Sequence, residues 1–222
     1  MGLTTGSGPF GHRPAGAFDF EAPAEVTYVE PFPRRVRGLR DGQPIVDTEA
    51  ASLVHRSRQL PRWSFPAGDV TVDAEPDAVV PGNVVLAWDA AEEWFEEDEQ
   101  VFVHVRDPFH RVDCLATSRR VRVSVGDTML ADTTSAVALY ETGLPVRYYL
   151  PPDEVAMELL ERSDTSSGCP YKGTASYWSA RIGDTVIDDV AWGYLEPLRE
   201  SARVAGHLCF YDDRVTVVVS AA

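Results

Sequence analysis

Hydrophobic and polar residues alternate along several short stretches of the chain, with the two-residue period of a β-strand that buries one face. Val121–Val125 alternates in this way, and Gly126-Asp127 then provides a tight turn into Thr128–Thr133. The same order of strand, turn and strand occurs in two later segments, Ala175–Ile182 with Thr185–Trp192 and Leu208–Tyr211 with Arg214–Val219. The pattern therefore predicts three β-hairpins.

The chain also contains an internal duplication. Residues 34–70 align without a gap on residues 119–155, at an offset of 85, and ten of these 37 positions are identical. The longest identical run places Arg34–Arg37 on Arg119–Arg122. Self-similarity of this kind indicates two copies of one structural unit.

The duplication predicts the domain organisation. We expect a flexible tail over residues 1–22, a first and divergent copy over 23–113, and a second copy over 114–222. Helical signals are scarce, and the clearest is a short helix after Pro151-Pro152, where Asp153-Glu154 favours a first turn. The predicted fold is mainly β, with two tandem compact β-sheet domains, each closed or folded over on itself.

The second copy is longer than the first. Leu86-Ala87-Trp88 resembles Leu208-Cys209-Phe210 at an offset of 122, which exceeds the earlier offset of 85 by 37 residues. These additional residues lie between Ser163 and Gly206. They begin with a stretch rich in Gly, Ser and Thr over 163–174, which we expect to be a long loop.

Charge and composition narrow the class of protein. The formal net charge of −15 opposes a general nucleic-acid binder, because a phosphate backbone would be repelled. No run of 18 apolar residues occurs, and the N-terminus lacks a signal-peptide pattern, so neither a membrane span nor secretion is expected. The three cysteines are odd in number and far apart, which suits a reducing cytoplasm.

Cys169 and Lys172 carry the most unusual chemistry of the additional residues, and Lys172 is the only lysine in the chain. A desolvated lysine can hold an anion or attack a carbonyl, and a neighbouring cation favours the thiolate of a cysteine. The structural alternative makes Cys169 a small buried hydrophobe and Lys172 a solvated lysine.

A second cluster lies between two predicted strands, where Glu141 ends one and Arg147 begins the next. Alternation places Arg147 and Tyr149 on one face and Tyr148 on the other. Arg147 can clamp a carboxylate or phosphate with its planar fork, and the alternative is a structural ion pair with Glu141. The first copy has Arg56 at the position of Glu141 and Ser64 at that of Tyr149. It has no counterpart of Cys169, Tyr171 or Lys172, so a single polar site would belong to the second copy.

Large aromatic residues are frequent in the second copy. Such a set either lines a pocket for a flat ligand or fills a β-sheet core, and both interpretations remain open. The aromatic candidates are Tyr149, Tyr171, Tyr177, Trp178, Trp192 and Tyr194.

Established catalytic and metal-binding patterns are absent from the sequence. There is no Walker loop, GxSxG, HExxH or GxGxxG motif, and His104 and His110 have no CxxC pair nearby. The acidic run Glu92–Glu99 is typical of a solvated face rather than a calcium site. We therefore predict no metal site, and no cofactor is identified.

Three runs of residues resemble the domain of unknown function 427 family: Glu141–Tyr149, Cys169–Trp178 and Ala191–Pro197. The linker from Trp94 to Pro108 resembles it as well, so that the resemblance covers roughly residues 25–220. It implies a bacterial, often actinobacterial, protein built of β-rich domains similar to the β-tent arrangement of two sheets. That fold often carries a four-cysteine zinc site, for which this sequence lacks the CxxC pairs.

The family is sometimes given a nucleotidyltransferase-like label, although the Gly-Ser and Asp-x-Asp pattern of many such enzymes is absent here. The resemblance places the family motif on the candidates Glu141, Arg147, Tyr149, Cys169, Lys172, Tyr177, Trp178, Trp192 and Tyr194.

We expect the second copy to bind a small anionic or aromatic molecule, with Lys172 and Arg147 holding negative charge and the aromatic residues forming walls. Cys169, Lys172 or Glu141 would supply reactivity if a reaction occurs. Two alternatives remain: an enzyme acting through Lys172 or Cys169 or by nucleotidyl transfer, and a structural or interaction protein.

Overall fold

Strands form most of the regular structure, and the helices over residues 2–221 are short 3-10 helices. The computed structural model describes these residues and divides the chain into two compact units, the first ending at His110 and the second beginning at Arg111. The boundary lies ahead of the predicted one because the second unit opens with a strand at Val112, before the duplicated arginines. The predicted mainly β fold class is confirmed.

The first unit consists of two antiparallel sheets. Its strands are β1 (Thr27–Pro31), β2 (Val36–Arg40), β3 (Gln43–Thr48), β4 (Ser52–Arg56), β5 (Arg62–Pro66), β6 (Glu75–Pro76), β7 (Asn83–Val85), β8 (Glu93–Glu96) and β9 (Glu99–Val101). One sheet has the order β1-β4-β5-β7-β6 and the other β3-β2-β8-β9. Short 3-10 helices occur at Ala67–Asp69 and Trp88–Ala90.

The second unit has the same plan with a larger main sheet. Its strands are β10 (Val112–Ala116), β11 (Arg120–Val125), β12 (Thr128–Thr133), β13 (Val137–Glu141), β14 (Arg147–Leu150), β15 (Leu160–Cys169), β16 (Gly173–Ile182), β17 (Thr185–Tyr194), β18 (Leu208–Phe210) and β19 (Thr216–Ser220). The sheets have the orders β10-β13-β14-β18-β17-β16-β15 and β12-β11-β19. The 3-10 helices are Pro152–Glu154, Met157–Leu159 and Arg199–Val204.

In each unit the apolar faces of the two sheets meet in one core. Val123 of the three-stranded sheet packs in the same cluster as Leu150 and Phe210 of the seven-stranded sheet. Val36 and Phe65 are brought together in the same way in the first unit. Burial of alternate positions against the facing sheet explains the two-residue hydrophobic period of the strands.

The structure confirms the duplication. At an offset of 85 the bounds of β1, β3 and β4 coincide with those of β10, β12 and β13. At the same offset, the register shift after Gly38 corresponds to the one after Val123. The bidentate ion pair of Arg35 with Asp47 likewise corresponds to that of Arg120 with Asp132.

The later strands of the two units correspond at slightly different offsets. Gly38 pairs with Trp94 as Val123 pairs with Val217, an offset of 123. Phe65 pairs with Val84 as Leu150 pairs with Leu208, an offset of 124. The offset of 122 predicted from Leu86-Ala87-Trp88 was therefore wrong by one or two residues, because a three-residue match does not define strand register.

The additional residues of the second unit form long strands. Strands β15, β16 and β17 have ten residues each. In the second unit β17 pairs with β18, whereas in the first unit the corresponding neighbour of β7 is the two-residue strand β6. The loop predicted over 163–174 is wrong, since Ser166–Cys169 pairs with Gly173–Ser176. The polar composition reflects the position of β15 at the edge of the sheet, where its side chains are largely exposed.

The first two predicted hairpins are confirmed as β11 with β12 and β16 with β17. The third is wrong, because β18 pairs with β14 and β17 whereas β19 pairs with β11 in the other sheet. Leu208–Phe210 is buried at every residue, as expected for a strand flanked on both sides and covered on both faces. The short helix predicted after Pro151-Pro152, with Val155, Leu159 and Leu160 on one face, does not form as one helix. Two three-residue 3-10 helices, Pro152–Glu154 and Met157–Leu159, take its place, and Leu160 begins β15.

Candidate functional site

Most of the candidate residues lie on the seven-stranded sheet, on the face opposite the core that it shares with the three-stranded sheet. Neighbouring residues on that face form a row across five strands: Val137, Tyr149, Cys209, Trp192 and Tyr177. We call this row, together with the adjacent Tyr194, the aromatic face. Its members pack in a cluster separate from the core.

Tyr149 and Trp192 form the buried centre of the aromatic face. The Trp192 Nε1–H donates a hydrogen bond to the Tyr149 hydroxyl at 3.1 Å, and the two rings meet edge to face. Burial raises the pKa of Tyr149 and of Tyr194 far above the ordinary value for a phenol. Both hydroxyls therefore stay protonated at neutral pH and act as hydrogen-bonding groups rather than as acids.

Lys172 and Glu141 form an ion pair that is largely withdrawn from solvent. The Lys172 ammonium donates to Glu141 Oε2, and each side chain is less than one tenth exposed. The interpretation of Lys172 as a solvated lysine is therefore wrong. The alternative ion pair between Glu141 and Arg147 does not form. Glu141 pairs with Lys172, and Arg147 pairs with Asp212.

The ion pair connects distant parts of the seven-stranded sheet. Glu141 ends β13, whereas Lys172 lies in the turn between β15 and β16, and three strands separate β13 from β16 in the sheet order. The turn is held further by a hydrogen bond from the Leu198 N–H to the Lys172 carbonyl at 3.1 Å. Gly173 completes it at φ +95°, a conformation that favours glycine. The pair thus attaches the additional hairpin to the duplicated part of the sheet.

The three cysteines have no disulfide and differ in their exposure. Cys114 and Cys209 are buried, and burial raises the pKa of both thiols, that of Cys209 to about 12. Cys169 is partly exposed and packs against the aromatic face. Of the three, Cys169 is the one a reagent can approach.

Trp178 lies away from the aromatic face. Trp178 points into the core between the two sheets, on the opposite side of β16 from Tyr177. Tyr171 is buried in the turn before Lys172. The structure therefore brings Tyr149, Tyr177, Trp192 and Tyr194 together and separates Trp178 from them.

Arg147 lies at the rim of the aromatic face, which confirms its predicted position on the same side as Tyr149. Its guanidinium stacks over the Trp192 ring at 5.5 Å from the centroid. Its Nη1 donates one hydrogen bond, 3.1 Å long, to Asp212, whose side chain is 69% exposed. This contact lowers the pKa of Asp212.

A cavity of about 140 Å³ opens beside Arg147, between the ends of the two sheets of the second unit. Tyr148, Leu150 and Phe210 contribute to its walls, together with valines of β11 and β19. Arg147 and Asp212 supply its charged groups. The cavity thus combines an apolar interior with one guanidinium at its edge.

Sequence reasoning missed Asp212 and Tyr211. Asp212 was assigned to a hairpin turn, yet it is the partner of Arg147. Tyr211 packs against Trp192 with ring centroids 4.2 Å apart, and burial together with the neighbouring Tyr177 hydroxyl raises its pKa to about 12. The signal that could have found both is the conserved geometry of the duplication, which places this segment next to β14.

Between residues 2 and 221, no group of three or more His, Cys, Asp or Glu side chains is placed to hold a metal ion. No helix in that range has the length and hydrophobicity needed to cross a bilayer.

No curated protein matches the chain. Residues 113–221 match the model of a family described as a domain of unknown function, DUF427, whose label refers to nucleotidyl transfer. The matched segment coincides with the second unit, from β10 to β19. The second unit therefore belongs to the domain of unknown function 427 family.

Proposed function

We propose that the second unit binds a small molecule with an anionic group, which lies in the cavity between the two sheets and is held by Arg147 at the edge of that cavity. The observation that carries this proposal is the state of Arg147. It lines the cavity, stacks on Trp192 and makes a single hydrogen bond to an exposed carboxylate. A guanidinium in that state keeps donors for a carboxylate or phosphate.

Arg147 is a better anion contact than Lys172. The Lys172 ammonium is already neutralised by Glu141, and both groups are buried. Separating such a pair leaves an uncompensated buried charge, which is strongly unfavourable. The partner of Arg147 is exposed, and an ion pair in contact with water is weak and easily exchanged. An incoming anion can therefore replace Asp212 at low cost.

The cavity volume limits the ligand. An apolar cavity of about 150 Å³ in another protein admits benzene, so about 140 Å³ suits a single ring or a short chain. Suitable probes are benzoate and inorganic phosphate. The three free cysteines suit a reducing compartment, and we place this activity in the cytoplasm.

A thermal-shift titration tests the proposal. Wild type and Arg147→Gln are compared with Arg181→Gln, which removes an exposed arginine of the same unit that pairs with Glu161. A probe at about 100 times its dissociation constant stabilises by about 2.7 kcal/mol, so a shift should appear in wild type and Arg181→Gln and disappear in Arg147→Gln. Equal shifts in all three proteins, or no shift with any probe, would contradict the proposal.

Covalent catalysis at Cys169 is the competing function, favoured by the exposure of this thiol relative to Cys114 and Cys209. It predicts an acyl adduct after incubation with p-nitrophenyl acetate, detected by intact mass, and its loss in Cys169→Ser. Nucleotidyl transfer predicts instead an adenylyl adduct or turnover of ATP with magnesium. Absence of adducts and turnover in wild type would exclude both forms of the enzyme hypothesis.

A further inference from the structure

The first unit contains a cavity of its own, about 210 Å³ in volume, within residues 60–105. Three of the five tryptophans of the chain, Trp63, Trp88 and Trp94, line it together with Phe65 and His104. The interpretation of the first copy as a scaffold does not account for this arrangement. Cavities cost stability in proportion to their size, and large aromatic side chains are the residues best able to fill one.

Strand register shows that the two cavities are equivalent. The duplication offset of 85 and the later offsets of 123 and 124 map wall residues of the first cavity onto wall residues of the second. The pairs that differ most in chemistry are Trp63 with Tyr148 and Trp94 with Val217. The same location has therefore kept a cavity in both units while its walls have diverged.

The tryptophans give the first cavity flat aromatic walls. The ring centroids of Trp88 lie 5.8 Å from Trp94 and 6.2 Å from Trp63, both at an interplanar angle of 27°. Trp63 and Trp94 are buried, whereas Trp88 is partly exposed at the side. Offset stacking on rings of this kind is the favoured contact of a planar aromatic molecule.

The charged and titratable groups of the first cavity are neutralised. Arg62 donates from both terminal nitrogens to Asp77, at 2.7 and 2.8 Å, and the side chain of Asp77 is fully buried. These hydrogen bonds from Arg62 hold the pKa of Asp77 well below its ordinary value. Burial lowers the pKa of His104, which makes its imidazole neutral at pH 7. An anion thus meets no available cation here.

The indole N–H groups of Trp63 and Trp94 in the cavity wall offer no contact to a ligand. The Trp63 Nε1–H is buried and donates no hydrogen bond, whereas the Trp94 Nε1–H donates to the Trp88 carbonyl at 2.7 Å. A ligand in this cavity therefore makes its contacts with aromatic rings and aliphatic side chains rather than with polar groups.

We infer that the first unit holds a second ligand site, independent of Arg147, for a small uncharged planar aromatic molecule. Its ring packs against Trp88, the partly exposed tryptophan of the cavity wall. A volume of about 210 Å³ exceeds the approximately 150 Å³ that admits benzene, so a substituted single ring fits.

The test uses three probes with one ring system and different charge: nicotinamide, which is neutral, nicotinate, which is anionic, and 1-methylnicotinamide, which is cationic. Binding is followed by tryptophan fluorescence at millimolar probe concentration, in the full chain. Nicotinamide should bind at least about tenfold more tightly than either charged probe, because the cavity offers no available charge.

Three variants locate the site. Trp88→Leu should weaken nicotinamide binding at least about tenfold by removing the exposed ring, and circular dichroism checks that the variant folds. Trp63→Phe keeps an aromatic ring in the buried wall and should weaken binding less than Trp88→Leu does. Arg147→Gln should leave nicotinamide binding unchanged. No saturable binding of nicotinamide, preference for a charged probe, insensitivity to Trp88→Leu, or loss in Arg147→Gln would each overturn the inference.

Discussion

Arg62 and Arg147 stand at the same strand position in the two units and are the same residue, but their surroundings give them opposite properties. Arg62 is held at both terminal nitrogens by the buried Asp77, whereas Arg147 is held at one nitrogen by the exposed Asp212. The two carboxylates come from segments outside the gapless duplication. The comparison teaches that a duplicated residue keeps its position on the strand, while its availability depends on a partner that is not duplicated.

The walls of the two cavities differ in the same manner. The strands that form them have kept their register, whereas Trp63 and Trp94 correspond to Tyr148 and Val217. One cavity is lined by three tryptophans with no available charge, and the other is lined mainly by aliphatic residues with a guanidinium at its edge. Sheet pairing preserves the space, and side-chain changes within that space alter what it can bind.

The largest effect should come from the buried ion pair, which the first unit lacks. Lys172→Met leaves the Glu141 carboxylate buried without its cation and should lower the free energy of unfolding by about 3–5 kcal/mol. The double variant Glu141→Leu with Lys172→Met should recover most of this loss. Arg56→Met, at the position in the first unit that corresponds to Glu141, is the matched control and should change little, since Arg56 is exposed.

Urea denaturation measures all four proteins. A double variant as unstable as Lys172→Met would show that the two side chains act separately, and the account of the pair as a clamp would be wrong.

The next largest effect should be the difference in stability loss between substitutions of the two equivalent arginines, Arg62 and Arg147. Arg62→Met leaves the fully buried Asp77 side chain without its partner and should cost about 3 kcal/mol, whereas Arg147→Met should cost less than about 1 kcal/mol. Because the pKa of Asp77 is lowered in the folded state, its contribution is complete above about pH 4 and is lost as the pH falls below that value.

Unfolding of Arg62→Met and Arg147→Met in urea, repeated between pH 3 and pH 7, checks the difference. Wild type and Arg147→Met should lose stability on acidification by an amount that Arg62→Met no longer shows. Equal losses of stability in Arg62→Met and Arg147→Met would contradict the claim that the two cavities differ in the availability of their arginine.

A smaller effect is expected at Tyr149, where the first unit has Ser64. Tyr149→Phe removes the acceptor of the buried Trp192 Nε1–H and should cost about 1–2 kcal/mol. Combining it with Trp192→Phe should add less than the separate costs, because the unpaired donor is removed as well. A double-mutant cycle measured by thermal unfolding gives the coupling, and strictly additive costs would contradict the hydrogen bond.

The smallest effect should come from the ion pair that both units share. Arg35 with Asp47 and Arg120 with Asp132 have the same bidentate geometry and lie in solvent. Exposed pairs contribute little, so Asp47→Asn and Asp132→Asn should leave the unfolding midpoint nearly unchanged and equal to each other. A clear difference between the two would show that the units use this common feature differently.

Much of the fold could be predicted because it depends on local pattern. The alternation in Val121–Val125 and the turn at Gly126-Asp127 specify a hairpin, and the repeated arginines give the register of the second copy against the first. The third hairpin failed because a central strand is buried on both faces, so Leu208–Phe210 carries no alternation to reveal its partners. Its pairing with β14 and β17 is a long-range choice.

The candidate site was predictable in composition but not in pairing. Alternation along β14 placed Arg147 and Tyr149 on one face, and the same rule places Trp178 opposite Tyr177. The contact of Lys172 with Glu141 depends on how a turn folds back over three intervening strands, which no local pattern contains. The tryptophan-lined cavity was missed because Trp63, Trp88 and Trp94 are spread over three separate segments.

The buried Lys172 has a practical consequence for labelling. It is the only lysine of the chain, and its ammonium is covered in the turn between β15 and β16. Amine-reactive esters should therefore modify this side chain only while the turn is detached from Glu141. The rate of its acylation, measured by peptide mass spectrometry, therefore reports how often the additional hairpin opens, and no substitution of the protein is needed.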